Sequence, residues 1–300
     1  MLTNVKIVMV GGDARQTEVI RRFAELDAML VLIGFDHLQV PYGGAMKCAM
    51  EPGAFADANA VVLPVVGTDE RGVVDSVFSS QELILKREHL ERLAEGAKVY
   101  TGIARPYLKS LCASCGVPVE ELLERDDVAI YNSVPTAEGA IMLAIQHTDT
   151  TIHGSVSMVV GFGRTGMTLA RMLKGLGAVV KVGVRCSEQF ARAWECGYVP
   201  FDTNELALHV RDVDLLFNTV PTMIITAHVI AELSPRAVII DLASRPGGTD
   251  FRFAEKRGIK AILAPSLPGL VAPKTAGRIL ADALVRSLLE ELGRQRGRSA

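Results

Sequence analysis

The chain has 300 residues, 49% of them apolar and 22% charged, with a net charge of −2. That length suits two domains of ordinary size, and the apolar share excludes intrinsic disorder. The near balance of charge gives no electrostatic case for nucleic acid as the main partner.

In chain order, residues 5–10 read as a buried strand. Gly11-Gly12-Asp13 and the charged Arg15, Glu18, Arg21 and Arg22 follow at once, which is not the pattern of a secretory signal. Residues 29–34, 60–66, 98–103 and 128–131 read as further strands, with helical patterns at 16–25 and 87–94 between them. Cys112-x-x-Cys115 falls inside an apparent helix and has no second ligand pair with metal-site spacing. A second series of strands begins at 156–160 and continues through 179–184, 214–218, 238–241 and 261–263. Its helices include 167–176 and 227–232. Strands alternating with helices imply parallel sheets covered on both faces.

The expected fold is therefore α/β, two Rossmann-like doubly wound parallel-sheet domains separated by a cleft. Residues 1–135 form an N-terminal substrate or catalytic domain, and 136–150 an inter-domain helix that starts after Pro135. Residues 151–272 form the dinucleotide-binding domain. Residues 273–300 form a C-terminal helix that packs back towards the first domain. The basic tail from Arg294 to Arg298 is expected to fray in solvent. No apolar run approaches the length of a membrane span. Five scattered cysteines, an odd count, do not make a secreted disulfide framework, so the chain reads as cytoplasmic with reduced thiols.

Gly161-Phe162-Gly163-Arg164-Thr165-Gly166 carries the strongest signal. The G-x-G-x-x-G pattern alone is weak, but here it directly follows a buried strand and directly opens a helix. Gly161 permits the tight turn, Gly163 lets a pyrophosphate approach the backbone, and Gly166 lets the helix pack close to the strand. The helix N-terminus supplies free N–H donors for the phosphates. The next strand ends in Arg185-Cys186-Ser187 rather than in an acid. A carboxylate there would bond a free ribose 2′-hydroxyl, whereas Arg185 can bind a 2′-phosphate and Ser187 can donate to it. NADP is therefore expected in preference to NAD. Asn218, Thr219, Val220 and Pro221, then Asp241, Ala243 and Ser244, follow two further strands and are expected on the nicotinamide side. Pro268 and Gly269 lie at the same rim.

Asn132-Ser133-Val134-Pro135-Thr136-Ala137-Glu138-Gly139-Ala140, Ile152-His153-Gly154-Ser155, the glycine turn, Ala264-Pro265-Ser266-Leu267-Pro268-Gly269 and Ala272-Pro273-Lys274-Thr275-Ala276-Gly277 resemble the A subunits of dipicolinate synthase. The resemblance covers nearly the whole chain, including Gly11-Gly12-Asp13-Ala14-Arg15-Gln16. It implies NADP-dependent oxidation of a dihydrodipicolinate-type intermediate to dipicolinate (pyridine-2,6-dicarboxylate) in the mother cell of a sporulating bacterium. It also implies a partner, a flavoprotein-like B subunit.

A dicarboxylate substrate calls for cations, hydroxyls or helix N-termini. Gly12 and Arg15 are candidates to hold one carboxylate; alternatively Asp13 simply caps the helix. Asn132, Ser133, Thr136 and Glu138 lie at the expected start of the inter-domain helix, which Thr136 could cap. Lys274, Asp13 and Glu138 are the proton-transfer candidates. No metal cluster or nucleophile motif is evident. The alternatives are a shikimate-like or 2-hydroxy acid dehydrogenase and a non-catalytic NADP-binding partner subunit. Homo-oligomerisation is left open.

Overall fold

The structure, a computed structural model, describes residues 1–39 and 43–298, with side chains through residue 294. The chain divides into two compact units, Met1–Val128 together with Pro273 onward, and Ala129–Ala272.

In the first unit β1 (Lys6–Val10) leads into α1 (Ala14–Glu25), followed by β2 (Met29–Ile33), β3 (Ala45–Cys48) and β4 (Ala60–Val62). A small antiparallel hairpin, β5 (Val73–Val74) with β6 (Leu83–Ile84), interrupts the alternation. Then come α2 (Arg87–Leu90), β7 (Lys98–Thr101), α3 (Pro106–Cys115) and β8 (Val119–Glu121). The sheet is six-stranded and parallel in the order β3-β2-β1-β4-β7-β8. Side chains alternate across it: Ile7 and Met9 enter one core cluster, Val8 and Val10 the other.

Helix α4 (Asp126–His147) links the two units in sequence. The second unit then repeats the winding with β9 (Val156–Val160), α5 (Arg164–Gly175), β10 (Val179–Val184), α6 (Ser187–Glu195), β11 (Val199–Asp202) and α7 (Leu206–His209). It continues with β12 (Leu215–Asn218), α8 (Ala227–Glu232), β13 (Val238–Asp241), α9 (Phe251–Lys256), β14 (Lys260–Leu263) and α10 (Leu267–Val271). Its strand order, β11-β10-β9-β12-β13-β14, places the topological reversal between β9 and β12, and all strands are parallel. The last helix, α11 (Pro273–Arg298), belongs to the first unit. There Leu280, Leu284 and Leu288 join Val19, Ile20 and Phe23 of α1 in one core cluster.

Several sequence expectations are corrected. Residues 128–131 are not a strand but the first turns of α4, which begins at Asp126 and contains Pro135. Asp126 and Asp127 favour a helix N-terminus here, and the sixth place in the sheet is filled by β8. The expected helix over 87–94 stops after one turn, because Asp57 N–H and Ala94 N–H divert the backbone into bonds between Asp57 and Arg92 and between Ala94 and Ala58. α4 also has the length and hydropathy of a membrane span, which the sequence reading did not foresee. Its Ala137, Ala140, Ile141 and Ala144 are instead buried in the core of the second unit. The basic tail, expected to fray, stays helical through Arg298; its side chains beyond Arg294 lie outside the described residues.

The start of α4 also carries an acid-sensitive network. Arg125 donates to Asp127 at 3.1 Å and to Ser287 at 2.7 Å, Ser287 donates to Glu120, and Arg286 adds a bond to Asp127 at 2.8 Å. The Arg125 hydrogen bonds hold the Asp127 carboxyl down to about 2, against the penalty of partial burial. A carboxylate held below its unfolded value contributes stability that is present above about pH 4 and lost as pH falls through about 2. Between about pH 5 and about pH 2 the urea midpoint of the wild type is therefore expected to fall more steeply than that of Asp127→Asn. Equal slopes for the two proteins would remove Asp127 from the acid response.

Candidate functional site

The site is built on the turn from β9 to α5. Gly161 sits at φ +98° and its N–H donates to Gly183 O at 3.0 Å. A Cβ on Gly161 would lie 2.4 Å from Thr219 Oγ1, and one on Gly166 only 2.0 Å from Gly161 O. Those two positions accept only glycine, for reasons of packing. Gly163 is different. It is the N-cap of α5, in extended conformation, and a Cβ there would meet no protein atom within 4 Å. The space above Gly163 is open, at the end of a helix whose first N–H groups lack intrahelical acceptors.

That space belongs to a groove of about 260 Å³. The glycine turn supplies Gly161, Phe162 and Gly163, and the end of β10 supplies Gly183, Val184 and Arg185. Thr219, Val220 and Pro221 close the other side. Phe162 is itself buried, edge-on to Tyr198 at 6.0 Å, so it shapes the floor. Gln189 of α6 and Thr203 after β11 also line the groove. Sequence reasoning missed both: Thr203 because β11 contains Pro200 and gives little strand signal, and Gln189 because it lies within α6 rather than at a strand end. Among the described residues, no acidic side chain lines the groove. Ser187, expected beside Arg185, is the first residue of α6 and is not among the lining residues. Arg164 and Thr165 form the first turn of α5.

Asn218 and Asp241, read from sequence as cofactor contacts, are both 0% exposed. They end the paired strands β12 and β13 and face each other in register. Asn218 Nδ2 donates to Asp241 Oδ1 at 3.0 Å, and Ala243 N–H donates to the same oxygen at 3.0 Å. Asp241 Oδ2 accepts from Gly248 N–H at 2.8 Å and Thr249 Oγ1 at 2.6 Å. Asn218 Oδ1 accepts from Val220 N–H at 3.0 Å. The pair anchors the loops around Val220 and Ala243 from within. Ala243 is buried and Ser244 exposed; Pro268 is buried and Gly269 half-buried in α10.

The remaining candidates are not among the residues that line this groove. Ser133 is buried in mid-helix, donating to Ile130 O and sharing a 2.6 Å bond with Thr168 Oγ1. Thr136 caps nothing; its hydroxyl donates back to Asn132 O. Both lie inside α4 rather than at its start, as does Asn132. Glu138 stands on a separate apolar groove of about 670 Å³ between α4 and α5, with Ile141, Met142, Ile145 and Met172.

In the first unit, the cap reading of Asp13 is what the geometry shows. Asp13 accepts from Arg15 N–H, and Gln16 Oε1 accepts from Asp13 N–H, a complete capping box. Gly12 N–H donates to Asp75 O and Gly12 O accepts from Val77 N–H. Arg15 spends Nε and Nη2 on Asp13. Burial works to raise the Asp13 pKa, but the hydrogen bonds and charge of Arg15 outweigh it and hold the carboxyl below its usual value. The donors expected to cradle a carboxylate here are thus occupied internally. Lys274 is exposed in the first turn of α11. Burial, with help from Cys115, pushes the Cys112 thiol up to about 11, which leaves it protonated near neutrality.

Comparison with known proteins agrees with this architecture. Residues 6–123 match the family described as the N-terminal domain of the dipicolinate synthase A subunit. Residues 133–298 match the alanine dehydrogenase/PNT C-terminal domain family. The chain is 53% identical over 290 residues to the A subunit of dipicolinate synthase from Bacillus subtilis (strain 168), covering 97% of this chain and 98% of that protein. The crystal structure of the corresponding A subunit from Bacillus halodurans superposes with a TM-score of 0.94 at 50% identity, covering 96% of this chain and 99% of that one. A transhydrogenase from Sinorhizobium meliloti, at 16% identity and a TM-score of 0.69 over 94% of this chain and 93% of its own, shares the fold.

Proposed function

The chain belongs to the family of dipicolinate synthase A subunits, and from that premise we propose that it oxidises a dihydrodipicolinate-type ring to pyridine-2,6-dicarboxylate with NADP⁺. The observation that carries the cofactor reading is the contrast within the glycine turn. Gly161 and Gly166 are closed by protein atoms, whereas Gly163 faces open space at a helix N-terminus. That is the cradle a pyrophosphate needs. The dinucleotide, when bound, supplies the hydride acceptor.

The chain's own groups do the rest. The first N–H groups of α5 hold the pyrophosphate. Arg185 pairs with the 2′-phosphate, and Thr219, Val220 and Pro221 shape the nicotinamide side of the groove. The ring must also lose a proton. Of the three candidates, Asp13 is engaged by its cap and by Arg15, and Glu138 stands on the apolar groove of α4 and α5. Lys274 is exposed, with no side-chain partner among the described residues, and is the candidate to accept it as the free amine, the form that has already given up its own proton. A flavoprotein-like B subunit is the expected partner, and the cytoplasm of a sporulating mother cell the expected setting.

Incubating the purified chain with NADP⁺ and enzymatically generated dihydrodipicolinate, with and without the B subunit, tests the reading. NADPH absorbance should rise as dipicolinate forms; no NADPH in either arm sinks it. The cradle has its own test. Gly163→Ala should weaken NADPH binding at least about tenfold, roughly 1.4 kcal/mol, by placing a methyl where the pyrophosphate approaches. Its urea midpoint should stay at the wild-type value, since that methyl meets no protein atom. Unchanged affinity in the folded variant would reject the placement.

A further inference from the structure

We propose that Arg245 binds one carboxylate of the ring dicarboxylate, an assignment that rests on the substrate reading above. Among the described residues of the second unit, three arginines follow strand carboxyl ends within four residues: Arg164 after β9, Arg185 after β10 and Arg245 after β13. Arg164 opens α5 beside the pyrophosphate cradle, and Arg185 lines the groove on the β10 side. The reversal point lies between β9 and β12, so adenosine falls on the β10 side and the reacting end on the β12 and β13 side. Arg245 is the cation of the three on that second side.

Its turn is built. Asp241 Oδ1 holds Ala243 N–H and Oδ2 holds Gly248 N–H and Thr249 Oγ1, so one buried carboxylate grips both ends of the loop. Gly247 N–H closes the tip by donating to Ser244 O at 2.8 Å, at φ +88°. A Cβ on Gly248 would lie 2.5 Å from Thr222 O and 2.6 Å from Asn218 Nδ2, so the loop is seated directly on the Asn218 loop. None of these bonds uses the guanidinium. Arg245 is exposed, and no hydrogen bond or ion pair engages its side chain among the described residues. A cation with no structural partner, on a loop anchored this firmly, suits a carboxylate that arrives with the ligand.

Calorimetry on the full-length chain saturated with NADPH tests the assignment, using pyridine-2,6-dicarboxylate and the monocarboxylate pyridine-2-carboxylate as probes. The wild type should bind the dicarboxylate more tightly. Arg245→Gln should weaken the dicarboxylate about tenfold and narrow its advantage over the monocarboxylate, the loss of one charge-assisted contact. Arg245→Lys should recover part of the loss, since it keeps the charge without the paired geometry. NADPH affinity, titrated separately, should not change. Equal dicarboxylate binding by wild type and Arg245→Gln overturns the assignment, as does an equal loss of NADPH binding, which would move Arg245 to the cofactor. A wild type that binds neither carboxylate overturns the substrate reading itself, and the assignment with it.

Discussion

Replacing Asp241 by alanine is expected to destabilise the second unit by about 4 kcal/mol, close to a thousandfold in its folding equilibrium. The carboxylate is 0% exposed and accepts four hydrogen bonds, from Asn218, Ala243, Gly248 and Thr249. Alanine leaves Ala243 N–H, Gly248 N–H and Thr249 Oγ1 buried without an acceptor, while Asn218 Nδ2 keeps only its bond to Val220 O. Each orphaned donor costs roughly 1–3 kcal/mol, and water entering the space left by the carboxyl relieves part of the sum. Asp241→Asn should cost less, about 2 kcal/mol, because one oxygen survives while the new NH₂ faces other donors. Urea unfolding followed by circular dichroism reads the effect. The first unit has its own core, so two transitions are expected, and only that of the second unit should move. Coincident curves for wild type and Asp241→Ala would show that the network holds nothing together.

Asp241 also marks where the sequence stopped being legible. A strand-end Asp or Asn in a Rossmann-like unit has two ordinary uses, contact with the ligand or anchorage of a loop. The residue type is the same for both, and only burial tells them apart. The strands themselves were readable: β9, β10 and β13 coincide with the apolar runs because they are central, β-branched and bounded by glycine or polar residues. The edge strands β3 and β11 escaped, one carrying Lys47 and the other Pro200, because an edge needs no continuous apolar run.

The two glycine turns make the same point. Gly11-Gly12-Asp13 and Gly161-x-Gly163 both leave a first strand and open a helix. In the first, Gln16 and the segment from Asp75 to Val77 take the backbone groups. In the second, the space at Gly163 stays open. The hairpin of β5 and β6 that delivers Asp75 has strands of two residues each, too short to leave a pattern. The start of α4 was misplaced for a different reason. Pro135 reads as a helix start, yet the helix runs through it, with Asp126 and Asp127 supplying the N-terminal charge.

Arg185→Asp is expected to weaken NADPH binding about a hundredfold, some 2.7 kcal/mol, while leaving NADH binding unchanged or improved. Arg185 lines the groove directly after β10, the strand beside β9 that leads to the adenosine ribose in this winding. A guanidinium there can form paired, charge-assisted bonds to a 2′-phosphate, each such contact contributing on the order of 1.5–3 kcal/mol. Aspartate removes that contact and adds repulsion between like charges, which is why the loss should exceed that of a neutral substitution. The same carboxylate can accept from a free ribose 2′-hydroxyl, so NADH binding holds or improves while NADPH binding falls. Nothing else among the described residues of the groove opposes this exchange, because no acidic side chain lines it. The guanidinium is exposed and its removal opens no cavity in the core, so the variant should fold as the wild type does. Titrating wild type and variant with both reduced cofactors by calorimetry decides the matter. A wild type that binds NADH as tightly as NADPH would make Arg185 a solvated surface residue and overturn the choice of NADP.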